Sequence, residues 1–260
     1  MNNFKMKLKS YDVIGNIAIL KFPRGTKKEI KINLAKKLLK EKKSLSTIVE
    51  KVERVKGRLR TLRVRHLCGK KTLEALYIEN NCRFKLNIES CYFSPRLSNE
   101  RKEIAQQVKP NERILVMFSG VGPFAVVIAK SVKTSKVVAV ELGKTCNKDA
   151  KENVKLNNLS NVKTIQGDVK KIIPKLKEKF DRIVMPRPNL KELFLREAFK
   201  VIKSKGIVNY YDFGKDKNEI IKKIKKESLK NKKKIKILRV KKAGETAPRN
   251  FRWRIDFKIL

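Results

Sequence analysis

The stretch Ile114-Leu-Val-Met-Phe-Ser-Gly-Val-Gly-Pro-Phe124, followed about one helix later by Val137-Val-Ala-Val-Glu141, decides how the chain is read. Ile114 to Phe118 is an apolar run with the length of a buried parallel strand. It breaks into Gly120-Val-Gly122 before a helical pattern restarts at Pro123, a first-turn position that tolerates proline. The two glycines permit a sharp turn and a close backbone approach to a ligand, with the N-terminus of the next helix aimed at it. Val137 to Val140 reads as a second strand, and it ends in a carboxylate, Glu141. At the tip of the second strand of a doubly wound sheet, a carboxylate is placed to hold the hydroxyls of an adenosine ribose.

Glycine spacing alone does not name the ligand. Phe124 and Ala125 stand where the third glycine of a G-x-G-x-x-G fingerprint would be sought, and no P-loop lysine follows. A short G-x-G with an acidic second-strand end suits S-adenosylmethionine, which has no phosphates to cradle. The same residues also fit an ordinary tight turn before a helix.

The α/β alternation continues downstream. Asn147 to Asn157 reads as helix, Val162 to Ile165 as strand, and Gly167-Asp168 ends that strand in a further carboxylate. Asp168 suits either an adenine amino group or the N-cap of a helix beginning near Val169. Asp181 to Met185 is a fourth strand ending in Pro186-Arg-Pro188, where the prolines impose extended backbone. Leu190 to Ile202 is predicted helical and Gly206 to Phe213 a fifth strand. A lysine-rich helix follows over 216–229, and a terminal antiparallel pair over 235–240 and 251–257. This order with a final hairpin predicts a class I, Rossmann-like methyltransferase domain over 91–260.

Upstream, Tyr11 to Phe22 carries two short apolar runs split by Gly15-Asn16, a hairpin signal, and residues 27–42 repeat apolar positions at helical spacing. Thr47 to Val55, Leu73 to Ile78 and Arg83 to Ile88 read as strands. Between them Lys56 to His66 is dense in arginine, whose planar donor fork suits phosphates and base edges. Residues 1–90 are therefore expected to form a small α+β RNA-facing module. Leu97 to Val108 reads as a helix with Ser98 as a candidate N-cap and with Glu100 and Arg101 in its first turn; a first-turn glutamate is also favourable helix-dipole chemistry.

In 260 residues, Lys and Arg total 67 against 25 Asp and Glu, a formal charge of +42. Such an excess suits a polyanionic partner, RNA above all, although lysine spread along helices can also reflect genome composition. No window of about 20 apolar residues spans a membrane and no signal-peptide core opens the chain, so a cytoplasmic address and a monomer are expected. Cys68, Cys82, Cys91 and Cys146 form no C-x-x-C pair, and His66 is the single histidine, so no metal site is expected and the thiols should be reduced.

Gly57-Arg-Leu-Arg-Thr61, Tyr92-Phe-Ser-Pro-Arg-Leu-Ser-Asn-Glu-Arg101, Met117 to Phe124 and Ala247-Pro248 resemble the archaeal and eukaryotic tRNA guanine-N1-methyltransferases. These enzymes methylate the guanosine immediately 3′ of the anticodon. The resemblance runs from about Tyr11 to the C-terminus, without the extra N-terminal domain that grips the tRNA elbow in many members. It implies a tRNA partner held at its anticodon stem-loop. It also implies Glu100 as the base that takes the N1 proton, Arg60 as the guanidinium facing O6, and Tyr92 and Arg96 shaping the pocket. The cofactor would lie against Tyr92, Phe118, Gly120, Gly122, Glu141, Leu142, Asp168, Val169, Pro186 and Pro188. Three positions depart from the family: Val116 replaces an Asp, Gly143-Lys144 an Asn-Pro, and Pro186 the Asn that orients the target base. Two other readings stay open. One is transfer of the aminocarboxypropyl arm of the same cofactor to a tricyclic guanosine (wyosine) precursor; the other is a non-catalytic RNA-binding protein on this scaffold.

Overall fold

The computed structural model describes residues 11–52 and 61–260, which form two compact units. The first runs to Ile78 and adds Phe84–Pro95; the second comprises Glu79–Arg83 and Arg96–Leu260. The expected boundary at 90/91 falls inside Phe84–Pro95. No described helix is long and apolar enough to cross a membrane.

In the first unit, β1 (Tyr11–Ile14) and β2 (Ile17–Leu20) form the hairpin turned by Gly15 at φ 54°. A Cβ at Gly15 would stand 1.7 Å from the Leu76 carbonyl oxygen, so no other residue fits. Helix α1 (Lys28–Glu41) crosses over to β3 (Thr47–Lys51), which pairs parallel to β2. Ala35 and Leu38 of α1 pack on Ala18, Leu20 and Ile48. The sequence did not mark β4 (Val64–Gly69), which pairs antiparallel to β3 at the end of the arginine-rich stretch. Exposed Arg63 and Arg65 belong to that stretch, whereas Arg58 and Arg60 lie outside the described residues. Strands β5 (Glu74–Glu79) and β6 (Cys82–Asn87) pair through Asn80 and Asn81, both at positive φ, as a two-residue type I′ turn requires.

The second unit is built on a seven-stranded sheet. After α2 (Ser98–Gln107) come β7 (Arg113–Met117), α3 (Pro123–Ser131), β8 (Lys136–Glu141), α4 (Lys144–Leu156), β9 (Val162–Gln166) and α5 (Val169–Ile172). Then follow β10 (Phe180–Met185), α6 (Leu195–Val201), β11 (Ile202–Gly214), α7 (Lys217–Lys230), β12 (Ile235–Ala247) and β13 (Asn250–Ile259). The strand order is β12-β13-β11-β10-β7-β8-β9, with β13 antiparallel to both its neighbours and β11 to β9 mutually parallel. The central strands are covered on both faces, which is why Ile114 to Met117 and Val137 to Val140 read as unbroken apolar runs.

Among the boundaries that differ from the sequence expectation, those of two helices bear on the site. Ser98 is not the N-cap of α2: a 3₁₀ turn over Pro95–Leu97 leads directly into the helix, and Ser98 instead accepts hydrogen bonds from Asn80 Nδ2 at its carbonyl and hydroxyl oxygens. Helix α6 begins at Leu195 rather than 190, because Phe194 at its N-cap adopts a left-handed conformation and residues 186–194 run irregularly. Cys68 and Cys82 are free thiols, with burial raising that of Cys82 to about 11. The expectation of reduced thiols does not extend to Cys91 or to Cys146, neither of which is a free thiol.

Candidate active site

The glycine turn lies where β7 ends. Gly120 and Gly122 have φ of 57° and 83°, so both need the left-handed region, and Phe118 holds φ 59° without being glycine. A non-glycine residue in that region carries backbone strain of roughly 1–3 kcal/mol, a cost that concentrates at ligand sites. Glu141 is buried at the tip of β8. Its Oε2 accepts from the Gly120 amide at 2.8 Å and its Oε1 from the Gly143 amide at 2.8 Å, which ties the second-strand carboxylate to the glycine turn.

Several features fit an adenosine-bearing cofactor here. Ser119 Oγ in the turn and Asn147 Nδ2 in α4 are buried polar atoms that find no hydrogen-bond partner among the described residues. At Gly122 a Cβ would come within 3.4 Å of the Ala150 Cβ, a close approach of turn to helix. Asp168 caps α5, its Oδ1 accepting from the Lys170 amide at 3.0 Å. Leu142 is half-buried and its carbonyl accepts from Gln166 Nε2 at 3.0 Å. The Val169 side chain is core, packed with Val138 and Ile173, so what Val169 offers a ligand is its backbone. Replacing Glu141 by Ala should weaken S-adenosylmethionine binding by about 1.5–3 kcal/mol, the worth of hydrogen bonds to a charged group. Calorimetric titration of the variant checks this; an unchanged Kd would remove Glu141 from the site.

Beyond β10 the backbone bends at Pro186-Arg187-Pro188. Arg187 is 2% exposed and its guanidinium is fully engaged. Nε donates to the Tyr210 hydroxyl at 3.0 Å, Nη1 to the Pro188 carbonyl at 2.8 Å and Nη2 to the Leu190 carbonyl at 2.8 Å; Nη2 also lies 3.1 Å from Asp212 Oδ1. The arginine thus fixes the path of the loop from beneath while half-buried Pro186 and Pro188 form its outer course.

Glu100 sits on the opposite face of the sheet. Its carboxylate is 4% exposed and accepts from the Tyr211 hydroxyl at 3.0 Å and Arg254 Nη1 at 2.7 Å, with Lys241 Nζ 2.7 Å away. Arg254 is wholly buried and also meets Glu103 at 3.2 Å and Asp256 at 3.3 Å. Burial, then the adjoining Glu100 charge, pushes the Tyr211 hydroxyl well above its ordinary value, so Tyr211 stays a neutral donor. A hydrogen bond from Lys241 holds Glu103 below the usual carboxylate range, and burial raises Asp256. Tyr210 pairs with Met185, the last residue of β10, so Tyr211 and Glu100 lie at the carboxyl edge of the parallel strands. Next in the same helix Arg101 forms a buried ion pair with Glu79. Arg96 is exposed in the 3₁₀ turn, and Tyr92 is a surface residue of the first unit.

Tyr211, Lys241, Arg187, Asp212 and Arg254 went unnoticed in the sequence. Arg254 and Asp256 occupy the charged positions of the alternation Phe251-Arg-Trp-Arg-Ile-Asp-Phe257, which normally marks a solvent face. Among the described residues no group of three or more His, Cys, Asp or Glu could hold a metal ion.

A parallel sheet with a glycine turn after its first strand, a carboxylate at the tip of its second and an antiparallel final strand inserted beside the fifth defines a class I methyltransferase. The family profile for the TRM5/TYW2 methyltransferase domain matches residues 75–238, and that for the TYW2 N-terminal domain matches residues 4–72. The chain belongs to the TRM5/TYW2 methyltransferase family. It is 32% identical over 253 residues to tRNA (guanine(37)-N(1))-methyltransferase Trm5b of Pyrococcus abyssi, covering 96% of this chain and 74% of the relative. The structure of an aTrm5 in complex with tRNALeu matches with a TM-score of 0.86 at 28% identity, over 97% of this chain and 72% of that one. That of Methanocaldococcus jannaschii TYW2 in complex with AdoMet matches with a TM-score of 0.72 at 26% identity, over 96% and 99%.

Proposed function

We propose that the chain is an S-adenosylmethionine-dependent tRNA methyltransferase acting on N1 of the guanosine at position 37, the position named for the P. abyssi relative. The observation that carries the reading is the Glu141 carboxylate bonded to the amides of Gly120 and Gly143 at the carboxyl edge, where a ribose is held in this fold. The bound cofactor supplies an electrophilic methyl group. The protein's own work is to hold the adenosine through Glu141, the glycine turn and Asp168, and to manage the proton on guanine N1, which makes that nitrogen a poor nucleophile. Glu100, buried and oriented by Tyr211, Arg254 and Lys241, is the acceptor for this proton. As that proton leaves, negative charge gathers on O6, and the family resemblance assigns Arg60 to stabilise it, with Tyr92 and Arg96 as further pocket residues.

The TYW2-type match over residues 4–72 favours a second reading, transfer of the aminocarboxypropyl arm to a wyosine precursor. Cofactor labelled separately in the methyl group and in the carboxyl carbon decides between them. The account expects methyl label alone in tRNA; carboxyl label there would establish the second reading.

RNA affinity should depend strongly on salt in a chain of charge +42. Each neutralised phosphate contributes a log–log slope of about −0.7 to −0.9. A tRNA Kd that hardly moves between low and physiological salt would contradict an electrostatic grip.

A further inference from the structure

Antiparallel register places Tyr211 opposite Arg254 and, two residues nearer the carboxyl edge, Phe213 opposite Arg252. Alternation puts both pairs on one face, about 7 Å apart at 3.3 Å per residue. The inner pair is sealed, Tyr211 at 1% and Arg254 at 0% exposed, and grips Glu100. The outer pair is only partly covered, with the Arg252 guanidinium 4.9 Å from the centre of the Phe213 ring. Among the described residues every fully buried arginine (Arg101, Arg182 and Arg254) is matched to a carboxylate, whereas the Arg252 guanidinium has neither a hydrogen bond nor an ion pair to any of them. A guanidinium laid on an aromatic ring and left without a carboxylate presents a flat cationic surface, on which RNA bases stack.

We propose that Phe213 and Arg252 form a shelf on which the unstacked target purine lies, one row outward from Glu100. This rests on the reading of the chain as an RNA base methyltransferase, and it adds two base-positioning residues to that site. Phosphate contact is the competing role for Arg252, and the two roles respond differently to removal of the base.

The test measures binding of two tRNA transcripts, one with the acceptor guanosine and one abasic at that nucleotide, to wild type, Arg252→Lys and Phe213→Leu. Lysine keeps the charge for a phosphate but loses the planar surface. Both variants are expected to bind the guanosine tRNA about 10-fold more weakly, within the range for one stacked base, and the abasic tRNA as wild type does. Their Kd for S-adenosylmethionine should be unchanged, showing that the fold is intact. Equal losses on both transcripts, or no loss on either, would overturn the shelf, as would wild type failing to distinguish the transcripts. Failure of wild type to bind either tRNA would instead sink the underlying RNA reading, and the shelf with it.

Discussion

Glu100→Gln is expected to bind S-adenosylmethionine and tRNA nearly as the wild type does, yet to lose methyl transfer by ~10²–10⁴-fold in a single turnover, the usual contribution of general base catalysis. The substitution keeps the shape and one carbonyl acceptor for Tyr211 and Arg254, but an amide cannot take the proton from N1. It also cannot accept from Lys241, which lies 2.7 Å from Oε1 in the native site, so some stability goes with it. That loss should stay near ~1–3 kcal/mol, because Arg254 retains Glu103 and Asp256 as partners. Single-turnover kinetics at saturating substrates, run below the variant's melting temperature, separate the chemical defect from the stability defect. A near-wild-type rate would make Glu100 only an ion-pair anchor of α2.

Arg254→Met should be the most destabilising single change in the second unit. The side chain is wholly buried between Glu100, Glu103 and Asp256. Removing the cation leaves two buried carboxylates with fewer partners, Glu100 with Tyr211 and Lys241 and Asp256 with Asn209. Breaking one side of a buried ion pair costs about 3–5 kcal/mol. Urea unfolding checks this: the midpoint should fall sharply, and a shift equivalent to less than about 1 kcal/mol would show that the cluster is solvated rather than buried. Lys241→Met should cost much less, since Lys241 is partly exposed on β12.

The sheet and the cofactor turn could be read from the sequence because their signals are local. The run Ile114 to Phe118, the two glycines and the strand ending in Glu141 lie within 28 consecutive residues, each carrying its own steric or periodic signature. Glu100 was singled out, but not its surroundings. Its partners Tyr211 and Arg254 stand 111 and 154 residues away in the chain, and only the strand register brings them to it. Alternation of the kind seen over β13 is the pattern of a strand with one solvent face, and nothing local signals that the structure buries both Arg254 and Asp256. Arg187 was hidden for a related reason. Flanked by two prolines it resembles a surface loop residue, but Asp212 and Tyr210 on the neighbouring strand draw it inward. Helix α6 was drawn too long because Leu190 and Leu193 continue an apolar spacing that ends in packing against the core rather than in helix.

Methyl transfer to a defined nucleoside tests the central claim most directly. Purified protein is incubated with S-adenosylmethionine and unmodified tRNA transcripts bearing guanosine 3′ of the anticodon, and the product is digested and mapped by mass. The account expects N1-methylguanosine at that nucleotide, and none when it is replaced by adenosine. A tRNA that returns unmethylated, or methylated on another nucleoside, would contradict it.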